Sequence, residues 1–290
     1  MSESSHTAAV PAPAVLISFR KNLSVAVCTE GHSEGPFVLG TRSHQTERLI
    51  GAQPAFVTMI TILRGVRFSG CITVVEEDIF VVGLAGASGS GKSTVSKRVA
   101  QRLNGHVISM EVYSLEMNHL PLAERARQNY DAPHAIDVKL LENHIREYAA
   151  GRPIEAPIYD FAEHLRVSNR REHISARSLL IVEGILALHF AELRPYFNLS
   201  IYLEAPDEVC FHRRKVRDIT ERGRSLDFIQ WQYKNTVLPA ARQYLLPSKR
   251  FANLVIDAER DLATVESSLY EAIVKKRSWT QDNVKTAANY

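Results

Sequence analysis

The chain has 290 residues, 45% hydrophobic and 23% charged, which is the balance of an ordinary globular protein with room for one α/β domain plus an extension, or two small domains. A formal net charge of +3 gives no reason to expect nucleic acid or a membrane as partner, and no apolar run approaches the ~18 residues of a membrane span. Cys28, Cys71 and Cys210 lie far apart with no C-x-x-C pair, which argues against a disulfide or zinc framework and fits reduced thiols in the cytoplasm.

In chain order, residues 1 to about 13 are Ser-, Ala- and Pro-rich with little to bury, and read as disordered. They lack a continuous apolar stretch, so a signal peptide is not expected. Short β-like runs follow at Val15–Phe19, Ser24–Val27 and Phe56–Ile60, separated by Gly, Ser and Pro. They suggest a small β-rich extension over 1–76 with no chemical motif of its own. From Glu77 onward, apolar strand-like runs alternate with helical ones, as in a parallel sheet covered by helices. Strands are expected at Ile79–Ala85, His106–Met110, Ser178–Gly184, Leu199–Leu203 and Asn253–Ile256. Helices are expected at Thr94–Leu103, at Val138–Ala150 with Asp137 as N-cap and Gly151 as terminator, over Asp207 to about Glu221, and at Leu262–Lys275. The main domain is thus placed at 77–275, with a loose tail over 276–290.

One segment carries the clearest chemistry. Gly86-Ala87-Ser88-Gly89-Ser90-Gly91-Lys92-Ser93 matches G-x-x-x-x-G-K-[ST], and it lies between a buried strand and a helix, where the pattern has physical meaning. Glycines let successive backbone N–H groups converge on phosphate oxygens, and the helix N-terminus adds partial positive charge. Lys92 is placed for the β- and γ-phosphates of a nucleoside triphosphate. The Ser93 hydroxyl is placed for Mg²⁺, and Thr94 closes the phosphate-binding set. Glu183 ends an apolar strand downstream, a position suited to a carboxylate that works with the metal.

Arg213 to Arg224 holds six basic residues against two acidic ones. Such a helix, ended by Gly223 so that Arg224 turns away, suits a lid whose cations meet transferring phosphate oxygens. Glu111 follows a strand, in position for a base that takes a proton from an acceptor hydroxyl. Tyr130-Asp131 and Tyr159-Asp160-Phe161, with His164 and Arg166, combine aromatic faces with polar ends, a mixture suited to a flat base and a sugar.

These blocks resemble the uridine–cytidine kinase family of P-loop kinases from about Val82 to about Ile256. The matching stretches are G-A-S-G-S-G-K-S-T, Y-D-A-P-H-A-I-D from Tyr130, P-I-Y-D-F-A-E-H-L-R from Pro157, V-E-G-I-L-A-L from Val182, and R-R-K-V-R-D-I-T-E-R-G-R from Arg213 followed by Gln232-Tyr233. The resemblance implies a three-layer P-loop fold and an ATP- and Mg²⁺-dependent kinase that phosphorylates the 5′-hydroxyl of uridine or cytidine. It also implies roles. Lys92, Ser93 and Glu183 hold phosphates and metal. Glu111 serves as base and Arg217 as a catalytic cation. Arg214 and Arg222 contact phosphates. Tyr113, Asp131, Tyr159, Phe161, His164, Arg166, Arg224 and Gln232 contact the acceptor, with Asp131 on sugar hydroxyls and the Tyr159, Phe161 and His164 set around the pyrimidine. A small-molecule nucleoside is the implied partner, and a homo-oligomer stays open.

Two departures stand out. The family usually reads Asp-Ser-(Phe/Tyr)-Tyr after the second strand, whereas here Ser109-Met110-Glu111-Val112-Tyr113 is one residue shorter and carries Glu. That short form also resembles the kinase-like module fused to triphosphate tunnel enzymes. The family's Pro-x-Gly turn after Ile256 is replaced by Asp257-Ala258-Glu259-Arg260. They keep two alternatives in view: a kinase of another small hydroxylated acceptor, and a nucleotide-binding regulatory module with weak or no transfer activity.

Overall fold

A computed structural model describes the backbone of residues 15–19, 23–27, 73–76 and 79–287, with side chains from 79 to 279. The chain divides into two compact units, Met1–Glu77 and Asp78–Tyr290. In the first, β1 (Val15–Phe19), β2 (Leu23–Val27) and β3 (Thr73–Glu76) form an antiparallel sheet in that order. The first two are the β-like runs expected there, whereas β3 was not. The expected disorder before residue 14 and the strand at Phe56–Ile60 lie outside the described residues.

The second unit contains β4 (Phe80–Gly86), α1 (Lys92–Arg102), β5 (His106–Ser109), the short helix α2 (Leu122–Arg125) and α3 (Val138–Ala149). Strands β6 (Ile154–Asp160), β7 (Leu165–Ile174), β8 (Leu179–Glu183) and β9 (Leu199–Glu204) follow, then α4 (Asp207–Thr220) and α5 (Leu226–Gln232). Among the described residues, five parallel strands lie in the order β10-β9-β4-β8-β5, where β10 is Leu254–Asp257. Alternation within each strand builds the two covered faces. Phe80, Val82 and Leu84 of β4 pack with Val95 and Val99 of α1 and with Leu269 and Ile273 of a C-terminal helix. Val81 and Ala85 face the other way, toward Leu141, Ile145 and Tyr148 of α3. Each fully buried Val, Leu or Ile contributes roughly 1.5–3 kcal/mol, so the layers hold the strand ends rigidly.

Asp137 caps α3 as expected, its Oδ1 accepting from the Leu140 amide at 3.2 Å, and Gly151 ends it at φ 77°. Two regions differ from the sequence reading. The block around Tyr159 forms an antiparallel hairpin of β6 and β7, whose solvent-facing polar residues give β7 no clean apolar alternation. From Leu226 the backbone stays helical through a π turn (Tyr233–Val237), α6 (Leu238–Ala240), a second π turn (Ala241–Leu245) and α7 (Leu246–Ser248). Each π turn immediately precedes a Leu-Pro step, at Pro239 and Pro247. A proline has no N–H and its ring crowds the preceding turn, so widening that turn keeps the helix continuous. The C-terminal helix α8 (Leu262–Ala287) runs ten residues beyond Arg277, through the region read as a loose tail.

Candidate active site

Parallel pairing brings the functional segments to one edge of the sheet. Glu183, the last residue of β8, is in register with Leu84 of β4 on one side and with Ser109 of β5 on the other. The phosphate loop leaves β4, the turn Met110–Tyr113 leaves β5, and both start beside Glu183. This is the carboxyl-end crevice where open α/β sheets place ligands.

The loop is built for an anion. Gly89 and Gly91 adopt left-handed backbone, φ 92° and 96°. At Gly89 a Cβ would lie 2.1 Å from the Cys210 carbonyl oxygen, so the loop rests directly on the first turns of α4. Lys92 Nζ donates to the Ala87 carbonyl across the loop at 3.0 Å, and Ser93 Oγ donates to Glu183 Oε1 at 2.9 Å. Ser90 Oγ is buried in the loop without a hydrogen-bond partner, a donor that a phosphate oxygen would satisfy. Burial raises the Glu183 carboxyl above the ordinary range, Lys92 opposes that, and Glu111 adds to it. A divalent cation beside Ser93 would relieve the same penalty. Among the described residues no group of three or more His, Cys, Asp or Glu could hold a metal by itself.

Next to the loop lies a cleft of about 660 Å³ whose walls include Ser88, Glu111, Tyr130, Asp131, Tyr159, Phe161 and His164. Arg214, Arg222, Arg224 and Gln232 also line it. The rings are ordered by contact. Tyr130 stacks on His164 with centroids 5.2 Å apart, and Tyr159 meets Phe161 edge-on at 5.0 Å. His164 sits in left-handed backbone, φ 52°, at the tip of the hairpin. Burial, then the Arg224, Arg222 and Arg125 charges, lower its pKa to about 4. Its Nε2 accepts from Arg224 Nη2 at 3.3 Å, so the ring proton resides on Nδ1. Asp131 is raised by burial, with Arg214 pulling the other way and Glu111 reinforcing the rise.

The arginine segment is organised by a residue to which the sequence reading gave no role in the site. Asp218 is wholly buried, and four guanidiniums converge on it. Arg217 is 2.8 Å away, Arg224 3.2 Å, Arg214 3.5 Å and Arg222 3.7 Å. Burial alone would raise Asp218; Arg214, Arg217 and Arg222 outweigh it and hold its pKa low. Arg214 also donates to Ser88 Oγ at 2.7 Å and to Gln232 Oε1 at 2.6 Å, tying α4 to the phosphate loop and to α5. Arg222 lies over the Phe161 ring at 4.7 Å and pairs with Glu111 Oε2 at 3.6 Å. Four cations against Asp218 and Glu111 leave a positive wall, the complement of a phosphate chain. The i,i+4 spacing of Arg214 and Asp218 was the available signal for this cluster.

Several expected placements do not occur. Arg224 folds back, its amide donating to the Asp218 carbonyl at 3.0 Å, because Gly223 at φ 62° reverses the chain. Tyr113 is fully buried and points away from the cleft, its hydroxyl sharing a 2.8 Å hydrogen bond with His144 Nδ1. Arg166 is not in the cleft wall; it donates to the Tyr113 carbonyl at 2.8 Å and pairs with Asp137. Arg213 donates to the Ala258 carbonyl at 2.9 Å, away from the other arginines.

A strand–phosphate loop–helix unit, a strand-end carboxylate and an arginine cage over the adjoining cleft define the class of P-loop phosphotransferases acting on an alcohol acceptor. The sequence profile of the Phosphoribulokinase / Uridine kinase family matches residues 81–265, and the chain belongs to that family. A uridine kinase from Cronobacter sakazakii is 39% identical over 183 residues, spanning 61% of this chain and 85% of its own length. A uridine kinase from Clostridium tetani is 42% identical over 179 residues, with the same coverage of 61% and 85%. The fold is shared with the crystal structure of a candidate fructose transport system kinase from Silicibacter sp. TM1040, with TM-score 0.51 and 24% identity over 62% of this chain and 90% of that one. No helix among the described residues is long and apolar enough to cross a membrane.

Proposed function

We propose that the protein transfers the γ-phosphoryl group of ATP to the 5′-hydroxyl of uridine or cytidine in the cytoplasm. The observation that carries this reading is the convergence, in one cleft beside the phosphate loop, of two carboxylates with aromatic rings suited to a flat base. When bound, MgATP supplies the activated phosphoryl group; the rest falls to the chain. Backbone N–H groups of Gly86–Ser93 and the Lys92 ammonium hold the phosphates, while Ser93 and Glu183 hold the metal. Glu111 takes the proton of the attacking hydroxyl at its carboxylate, once Arg222 moves to the phosphates. Asp131 accepts from ribose hydroxyls. Tyr130, Tyr159 and Phe161 enclose the base, and His164 Nδ1–H donates to it. Arg214 and Arg217, preorganised by Asp218, and Arg222 once it has moved, face the charge that spreads over the transferred group.

The test is ADP release with Mg²⁺, comparing uridine, cytidine, adenosine, ribulose 5-phosphate and no acceptor, with Lys92→Ala as the blank. Stimulation by uridine and cytidine alone is expected. ATP binding without stimulation by any acceptor would sink the reading in favour of a regulatory nucleotide-binding module.

A further inference from the structure

We propose that Arg166 is a positioning residue that holds the turn bearing Glu111 and the loop bearing Asp131 in register with the hairpin that carries Tyr159, Phe161 and His164. The inference rests on the nucleoside kinase reading for its catalytic consequence and on the structure for the tie itself. Arg166 starts in β7, directly opposite Tyr159 of β6. Its side chain is 9% exposed and leaves the cleft to the other hairpin residues. Nη2 donates to the Tyr113 carbonyl at 2.8 Å, and Nη1 and Nη2 each lie 3.4 Å from Asp137 Oδ2.

Both partners lie on the segments that carry the acceptor-side carboxylates. Tyr113 follows Glu111 by two residues, and Ser114 binds back to the Glu111 carbonyl through its amide at 3.2 Å and its hydroxyl at 2.8 Å. The stretch that holds Asp131 runs alongside. Ser114 bridges Ile136, the Leu115 amide donates to the Ala135 carbonyl at 2.7 Å, and the Asp137 amide donates to the Tyr113 carbonyl at 2.9 Å. One carbonyl therefore accepts from the Asp137 amide and from Arg166, and one guanidinium spans three chain segments. A planar fork can hold a carbonyl and a carboxylate at once; a lysine ammonium is a single point charge on a flexible stem. Loss of the fork would let the Glu111 turn drift against the base-framing hairpin, and displacement by about 1 Å is enough to cost on the order of 100-fold in rate.

The experiment compares wild type, Arg166→Lys and Arg166→Met in two readouts. In amide hydrogen exchange, Ser114, Leu115 and Asp137 should lose about tenfold or more of their protection in Arg166→Met while β4 and β8 keep theirs. In ADP-release kinetics, kcat should fall roughly 10- to 100-fold with the nucleoside KM within about threefold of wild type, and Lys should fall between the two. A raised KM at unchanged kcat would make Arg166 an acceptor contact and overturn the proposal. Unchanged exchange at the three amides, or protection lost uniformly across the sheet, would overturn it too. If Arg166→Met does not fold, Arg166→Lys carries both arms. If the wild type is not stimulated by either nucleoside, the nucleoside reading falls by that result alone, and exchange still decides the tie.

Discussion

The phosphate loop and the acceptor cleft share Ser88 as a wall, yet they are built on opposite plans. The loop is eight consecutive residues whose backbone would do most of the binding, with left-handed positions at Gly89 and Gly91 and one lysine. The cleft is assembled, apart from Ser88, from six separate segments: the β5 turn, the Asp131 loop, the β6–β7 hairpin, Ile185 and Leu186 after β8, α4 with its following turn, and α5. The first fails if the backbone cannot reach its shape. The second fails by degrees, as one side chain after another loses the partner that aims it. The largest expected effect therefore lies in the loop. Gly89→Ala would put a methyl 2.1 Å from the Cys210 carbonyl at a φ of 92°, so either the loop or α4 must move. ATP turnover should fall on the order of 10³-fold or more, with nucleotide affinity falling alongside it in calorimetry. Near-wild-type ATP binding in that variant would show that the loop is not held as described.

Asp218→Asn probes the cleft's plan at its centre. Four arginines would lose their shared counter-charge in a buried site, a kind of change that costs about 3–5 kcal/mol. The denaturation midpoint should drop accordingly, and turnover should fall about 100-fold as the cage loses its geometry. Because the missing charge is anionic, ATP should recover more stability in the variant than in wild type. Equal stabilisation of both proteins by saturating ATP would separate the cage from the phosphate site and break the comparison at that point.

The same contrast explains what the sequence disclosed. The β4–loop–α1 unit, Glu183 at its strand end and the Asp137 cap are local patterns, in which every contributing residue lies within a few positions of the next. The five parallel strands followed from apolar runs of strand length. Asp218 did not stand out, because its importance comes from burial under Arg222 and Arg224, and that depends on Gly223 reversing the chain. Arg166 and Tyr113 look alike as sequence with either a cleft-facing or an inward side chain; only the pairing of β7 with β6 turns Arg166 toward Asp137. The helical stretch from Leu226 was hidden by Pro239 and Pro247, whose usual effect is to end a helix and which here are absorbed by π turns.

The smallest expected effect is a pH dependence confined to the cleft. The His164 pKa is about 4 in the folded protein against an ordinary 6.5. Below pH 6.5 the unfolded chain takes up a proton that the folded chain refuses until near pH 4. His164 therefore costs stability progressively as pH falls through that window, and costs nothing above it. A gap of about 2.5 pH units corresponds to roughly 3 kcal/mol at full extent, so His164→Gln should lessen the loss of stability between pH 7 and pH 4.5 by about 2–3 kcal/mol in urea denaturation. His106 and His144 are also lowered by burial, and being present in both proteins they cancel in the difference. An unchanged pH slope in the variant would mean that His164 is accessible to protons in the folded state, and the hairpin tip would then be wetter than its burial implies.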